Sequence, residues 1–147
     1  MKRVNKFRLR PTKEQEKVLF SLCVISAVLW NKLNYVRRQA FFEGRFNWKE
    51  GVNELYNEFK KIIGSATAQQ IVRKNNEAWR SFFSLLRLKN QGKLSPHIKK
   101  VSPPRYWKDR LTGKKKLMTV IRNDCYKIEE VEGKKYLVLP KGLRIRI

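Results

Sequence analysis

The sequence predicts an α+β fold: a small β-barrel made from the first strand and the C-terminal strands, with a three-helix lobe inserted between them. Three observations predict it. Lys2 to Arg10 sets Val4, Phe7 and Leu9 among basic residues and stops at Pro11; three amphipathic helical stretches follow; the final third returns to short alternating runs. An opening strand without an early partner must pair with late ones, which makes the helices an insertion. The expected division is 1–11 with 91–147 for the barrel and 12–90 for the helical lobe.

Each element has a local reason. Thr12-Lys13-Glu14-Gln15 has the form of a capping box, with the Thr hydroxyl serving the first free amides and Gln15 reaching back. Behind it Val18, Leu19, Leu22, Ile25, Ser26, Leu29, Leu33 and Val36 form a long stripe on a helix running to the region of Glu43, where Gly44 stops it. Asn47-Trp48-Lys49-Glu50 offers a second cap-like start, and Val52, Leu55, Tyr56, Phe59, Ile62 and Ile63 give a shorter helix ending at Gly64. Ser65 is placed to cap a third helix that continues through Leu86 and Leu88 towards Asn90. Beyond it, strands are expected over Leu117–Arg122, Cys125–Val131, Tyr136–Pro140 and Leu143–Ile147, with a hairpin turn at Glu132-Gly133.

The third helix has two unlike faces. Ala68, Ile71, Val72, Ala78, Trp79, Phe82 and Phe83 recur at helical spacing and supply the packing face. Gln69, Gln70, Arg73, Asn76 and Arg80 are left to face outward. Gln, Asn and Arg each present two hydrogen-bonding groups in a plane to a base edge, which a Lys-Glu solvated face does less well. A core helix with a soluble back is the plainer alternative.

Charge narrows the choice of partner. Lys and Arg number 35 against 12 Asp and Glu, a net charge of +23 with pI near 10.5. A polyanion is the expected partner, because neutralising phosphates releases counterions. A membrane surface fits less well: the basic residues are spread over helices and strands alike, and no run approaches the roughly 18 uninterrupted apolar residues of a span. The start MKRVNKFRLR has no apolar stretch behind it, so the expected home is the cytoplasm, associated with the nucleoid.

From Arg87 to Lys116 the chain is basic, at Lys93, Lys99, Lys100, Arg105, Lys108, Arg110, Lys114 and Lys115 among others, with Asp109 the lone acid. Tyr106 and Trp107 lie inside that run. Pro96, Pro103 and Pro104 make it a loop, and its mixture of cations and aromatics suits phosphate contact with base stacking; Tyr106 and Trp107 are equally readable as core. Trp30, Trp79, Phe82 and Phe83 read as core.

Metal and catalytic chemistry are not expected. Cys23, Cys125 and His97 are scattered without zinc spacing. Asp109 and Asp124 sit in turns, and Glu129, Glu130 and Glu132 crowd a hairpin, whereas two-metal catalysis needs carboxylates converging on ions about 4 Å apart.

Several segments, in order, resemble the N-terminal portion of the TnpB family of transposon-encoded RNA-guided nucleases. FRLRPTKEQEKVL resembles the family's start; SAVLWNKLNYVRR, with Asn31, its first-helix motif; SATAQQIVRKNNEAWRSFF its Gln-containing helix; PPRYWK its Pro-Arg-aromatic-Lys segment; and KKYLVLPKGLRIRI the strand pair closing a wedge-like barrel. The resemblance implies a wedge barrel interrupted by a helical recognition lobe, together holding guide RNA, gripping target DNA and reading a short duplex motif. It puts Gln69 on a position contacting that motif, with Ser65, Ala66 and Arg73 nearby. Family members often carry a basic or aromatic residue where Ser65 and Ala66 stand. The family's RuvC-like nuclease, with three metal-binding carboxylates and a four-cysteine zinc site, would lie after Ile147.

The expected function is a non-catalytic nucleic-acid-binding recognition module with no cofactor, its partners being guide RNA, target DNA and a RuvC-like domain or separate chain. Its expected contacts are Ser65, Gln69, Gln70, Arg73, Asn76, Arg80, Lys99, Lys100, Arg105, Tyr106, Trp107, Lys108, Lys114, Lys115 and Lys116. Two alternatives remain, a stand-alone RNA-binding protein of ribosomal type and the non-catalytic subunit of a split nuclease.

Overall fold

The structure is a computed structural model that describes residues 2–108, 114 and 118–147. Its helices are α1 (Lys13–Phe42), α2 (Val52–Ile63) and α3 (Ser65–Asn90), followed by strands β1 (Lys127–Val131), β2 (Lys134–Leu139) and β3 (Leu143–Arg146). All three helices fall where the hydrophobic periodicity puts them.

The capping box on α1 forms in full: Thr12 Oγ1 accepts from the Gln15 amide at 3.2 Å, and Gln15 Oε1 accepts from the Thr12 amide at 3.0 Å. Gln15 is used twice. Its Nε2 also donates to the Arg144 carbonyl at 2.5 Å, tying the start of the helical lobe to β3. The other two helix starts differ from expectation. Asn47 Oδ1 accepts from the Lys49 amide in a tight turn, and α2 begins only after Gly51, at φ 76°. Gly64 is the N-cap of α3, so Ser65 is its first helical residue and makes no capping hydrogen bond.

The sheet is an open antiparallel meander in the order β1-β2-β3. Glu132 and Gly133, with φ of 51° and 76°, make the expected two-residue turn of the kind that matches strand twist. The closed barrel is corrected: none forms among the described residues. Residues 2–9 form no strand, and the opening segment touches the sheet through a single bridge, Arg10 to Arg146, with N–H···O at 2.7 Å. Residues 118–122 also make no strand, and Leu117 lies outside the described residues. Three short strands twist too little to close on themselves.

The main core lies among the helices, where Ala27, Leu29, Trp30, Phe59, Ala68 and Ile71 pack with Trp107. A second apolar region is aromatic: Phe41, Phe46, Trp48, Trp79, Phe82 and Phe83 meet ring to ring, mostly edge-on or tilted. By length and composition α1 could cross a bilayer. Its residues Ala27, Leu29, Trp30 and Leu33 are buried against the rest of the fold, which is how a core helix reaches the same composition.

Candidate nucleic-acid interface

The candidate interface is built on the segment Trp30 to Arg38, whose side chains hold the Pro103–Trp107 loop by its backbone. Trp30 Nε1 donates to the Arg105 carbonyl at 3.2 Å, and Asn34 Nδ2 and Arg38 donate to the Pro104 carbonyl, each at 2.8 Å. Asn31 Oδ1 accepts from the Trp107 amide at 2.7 Å. Proline-rich backbone forms no ladder of its own, so these side chains satisfy groups that burial would otherwise leave unpaired. The Trp107 ring then stacks on Trp30, with centroids 4.6 Å apart and planes at 13°.

Asn34 also reaches α3. Its Oδ1 accepts from the Trp79 indole at 2.9 Å and from Asn75 Nδ2 at 3.3 Å. Arg37, buried beside it, donates to Asn75 Oδ1 at 2.7 Å and to the Trp48 carbonyl at 3.1 Å. Burial lowers the Arg37 guanidinium to about 10, so it stays charged at neutral pH. The loop, α3 and the Trp48 turn are thereby all fixed from one face of α1.

On α3, Ser65, Gln69, Arg73, Asn76 and Arg80 follow one another at three- or four-residue steps, Arg87 follows two turns further on, and together they line one stripe. From Gln69 to Arg87 the stripe is about 27 Å long. Most of it is exposed, with Asn76 half-buried; Gln70 lies to one side, also half-buried. Gln69 is already engaged: its Nε2 donates to the Tyr56 hydroxyl at 3.4 Å, and its Oε1 accepts from Arg122 at 3.1 Å. Arg122 forks onto Asp124 at 2.6 and 2.9 Å, and this hydrogen bonding holds the Asp124 carboxyl below its usual range. Arg73 pairs loosely with Glu77 at 3.9 Å.

The basic loop divides by exposure. Lys99, Lys100, Arg105, Lys108 and Lys114 are exposed, and Tyr106 is half-buried with the Arg38 guanidinium 5.7 Å from its ring. Trp107 is buried against Trp30, so its stacking surface is spent inside the fold. Lys115 and Lys116 lie outside the described residues.

Sequence reasoning missed two candidate participants, Trp48 and Arg122, and counted Arg87 in the basic run without placing it on the stripe. Trp48 stands beside the stripe with the Arg80 guanidinium 5.8 Å from its ring. Arg87 extends the stripe, and its step from Arg80 was a signal in plain view. Arg122 touches Gln69 from far along the chain, and no local pattern announces that contact.

Acids do little to dilute the positive field. Glu43 and Glu50 pair with Arg45, Glu58 with Lys32, Glu77 with Arg73, Asp124 with Arg122, and Glu129 with Lys127 and Arg144. No group of three or more His, Cys, Asp or Glu placed to hold a metal occurs among the described residues.

Residues 1–44 match the family of OrfB-type helix-turn-helix domains. Among the described residues of that match, α1 is the one helix, and residues 2–12 ahead of it form neither helix nor strand. The chain is 48% identical over 134 residues to the TnpB-like protein ORF457 of Acidianus two-tailed virus, a match covering 90% of this chain and 29% of that protein. No solved structure matches it.

Proposed function

We infer that this chain, TnpB-like in sequence over 90% of its length, is a nucleic-acid-binding recognition module of an RNA-guided, transposase-like nuclease. The observation that carries this reading is the α3 stripe, where planar amides and guanidinium groups stand in one row, in a chain whose 99–108 loop adds exposed cations. Exposed Lys99, Lys100, Arg105 and Lys108 would meet phosphates, as would Lys114, Lys115 and Lys116, while Gln69, Gln70, Arg73, Asn76 and Arg80 approach bases, with Ser65 at the head of the row. Guide RNA and target DNA are the proposed ligands, bound in the cytoplasm at the nucleoid. Cutting is assigned to a RuvC-like domain or chain acting alongside it.

Binding of labelled RNA and duplex DNA measured from low to moderate salt tests this. Several phosphate contacts should make affinity fall steeply, by orders of magnitude between about 50 and 200 mM. A flat salt response, or equal binding of polyanions that carry no bases, would remove the support for this reading.

A further inference from the structure

We propose that the groove between the Trp48 turn and the C-terminal half of α3 is a pocket for one unpaired nucleotide of a single strand, the base stacking on Trp48 and the phosphates resting on Arg80 and Arg87. The pocket deepens the nucleic-acid reading above and rests on it. The groove has a volume of about 610 Å³ and is lined by Trp48, Asn76, Arg80, Phe83, Ser84 and Arg87. It lies on the same stripe as Gln69, two turns and more towards the C-terminus.

Three properties of its lining select this ligand. The first is an exposed indole: Trp30, Trp79 and Trp107 are 5%, 0% and 7% exposed, whereas Trp48 is 38% exposed. Base–aromatic stacking tolerates any base, because every base has a π-face. The second is placement of cations. Arg37 lies 5.2 Å from the Trp48 ring and donates to its carbonyl, fixing it from the buried side, while Arg80 at 5.8 Å and Arg87 sit on the groove side. Neither Arg80 nor Arg87 has an ion pair with a described acid. The third is an unspent acceptor. Asn76 Oδ1 is buried and has no hydrogen-bond partner, an expensive arrangement for a native fold. A half-turn of that amide exchanges its oxygen and nitrogen with almost no change of shape, so the groove wall can offer a donor or an acceptor to a base edge.

A paired base hides its edge and both faces within the duplex stack, so the pocket discriminates by pairing state before sequence. RNA and DNA single strands share the chemistry it recognises. Either could supply the base.

The three buried indoles leave Trp48 as the exposed fluorophore, which gives the test its readout. Single strands of RNA and of DNA about twelve nucleotides long should each quench it, and Trp48→Phe should abolish the quench and weaken binding roughly tenfold. Replacing the bases by abasic sites should do the same to the unmodified protein. Arg80→Gln should raise Kd and lower the salt slope while leaving the folded spectrum unchanged, which covers the case in which Trp48→Phe disturbs its aromatic neighbours. If strands bind with no change in Trp48 emission, or abasic strands bind as tightly as intact ones, the pocket is overturned while the general nucleic-acid reading survives. If no nucleic acid binds under any salt, both fall. Quenching by RNA alone or DNA alone supports the pocket and names its source.

Discussion

Arg122 donates to Gln69 Oε1 at 3.1 Å, joining α3 to the segment ahead of β1 across 53 positions of sequence. Gln69 therefore stands in a fixed rotamer, between Arg122 and the Tyr56 hydroxyl, instead of sweeping through solvent. A side chain set before binding loses less entropy on meeting a base.

Replacing Gln69 by Ala is expected to reduce discrimination among short duplex motifs while general affinity falls by less than about threefold, since phosphate contacts carry most of the binding. Arg122→Gln should produce a milder version of the same loss by releasing Gln69. Competition binding against a library of short duplexes measures both, and equal weakening on every sequence would exclude a reading role for Gln69.

Acid should reach this arrangement late. The hydrogen bond from Arg122 lowers the Asp124 carboxyl from its ordinary 3.8. A carboxyl depressed in the folded state contributes stability at pH above the unfolded value and loses it as pH falls through the folded one. The Asp124 carbon resonance should therefore titrate with a midpoint under 3.8, and Arg122→Gln should return it to the ordinary range. Between pH 5 and 8, values about which carboxylates are charged, the contact should not change.

Asn34→Ala is expected to be among the most damaging single changes in the protein. It strands the Trp79 indole N–H and Asn75 Nδ2 in a buried site and leaves the Pro104 carbonyl to Arg38 alone, and we expect a loss of about 3 kcal/mol in urea unfolding. Asn31 is half-buried and engages Trp107 backbone alone, so Asn31→Ala should cost about 1 kcal/mol.

Arg37→Met keeps the volume and removes the charge. Burial of an unpaired guanidinium is costly, yet its loss leaves Asn75 Oδ1 and the Trp48 carbonyl without donors. The second effect should win by about 2 kcal/mol, since the partners remain buried and unsatisfied. Acrylamide quenching of Trp48 should rise in the same variant as its turn loosens.

Gly51→Ala should destabilise by about 1–2 kcal/mol. Its φ of 76° disfavours any side chain, and an added Cβ would sit 3.3 Å from Val36 Cγ1 on α1. Gly44, at a similar φ but with open space around it, should tolerate Ala with the smaller, backbone part of that loss.

The helices were legible because Leu29, Leu33, Phe59, Ile71 and Trp79 repeat at the period of the structure that buries them. The Thr12 capping box was legible for the same kind of local reason. Sheet closure was not: alternation in Lys2–Arg10 states a preference for extended backbone and says nothing of which edge will receive it, and only Arg10 finds one. The fate of Trp107 was equally hidden. Nothing in PPRYWK distinguishes a tryptophan that stacks on a base from one that stacks on Trp30, because the deciding partner lies on another element. On α3 the row of polar residues was readable, while the groove beside Trp48 required the fold to bring a turn and a helix together.

The clamp between Trp30–Arg38 and Pro103–Trp107 also sets an order in time. Its donors and acceptors are separated by 65 to 76 positions. At roughly 5–20 residues per second of synthesis, about 3–15 s pass between the emergence of the donors and that of their acceptors. Through that interval the helices have an uncovered Trp30 face and unmet polar groups, a state open to proteases and to chaperones. Ribosome-stalled chains of increasing length should become protease-resistant only after Trp107 has left the exit tunnel. The proline-rich loop is thus the late latch of the helical lobe, closed over the helices by a segment that has no regular structure of its own.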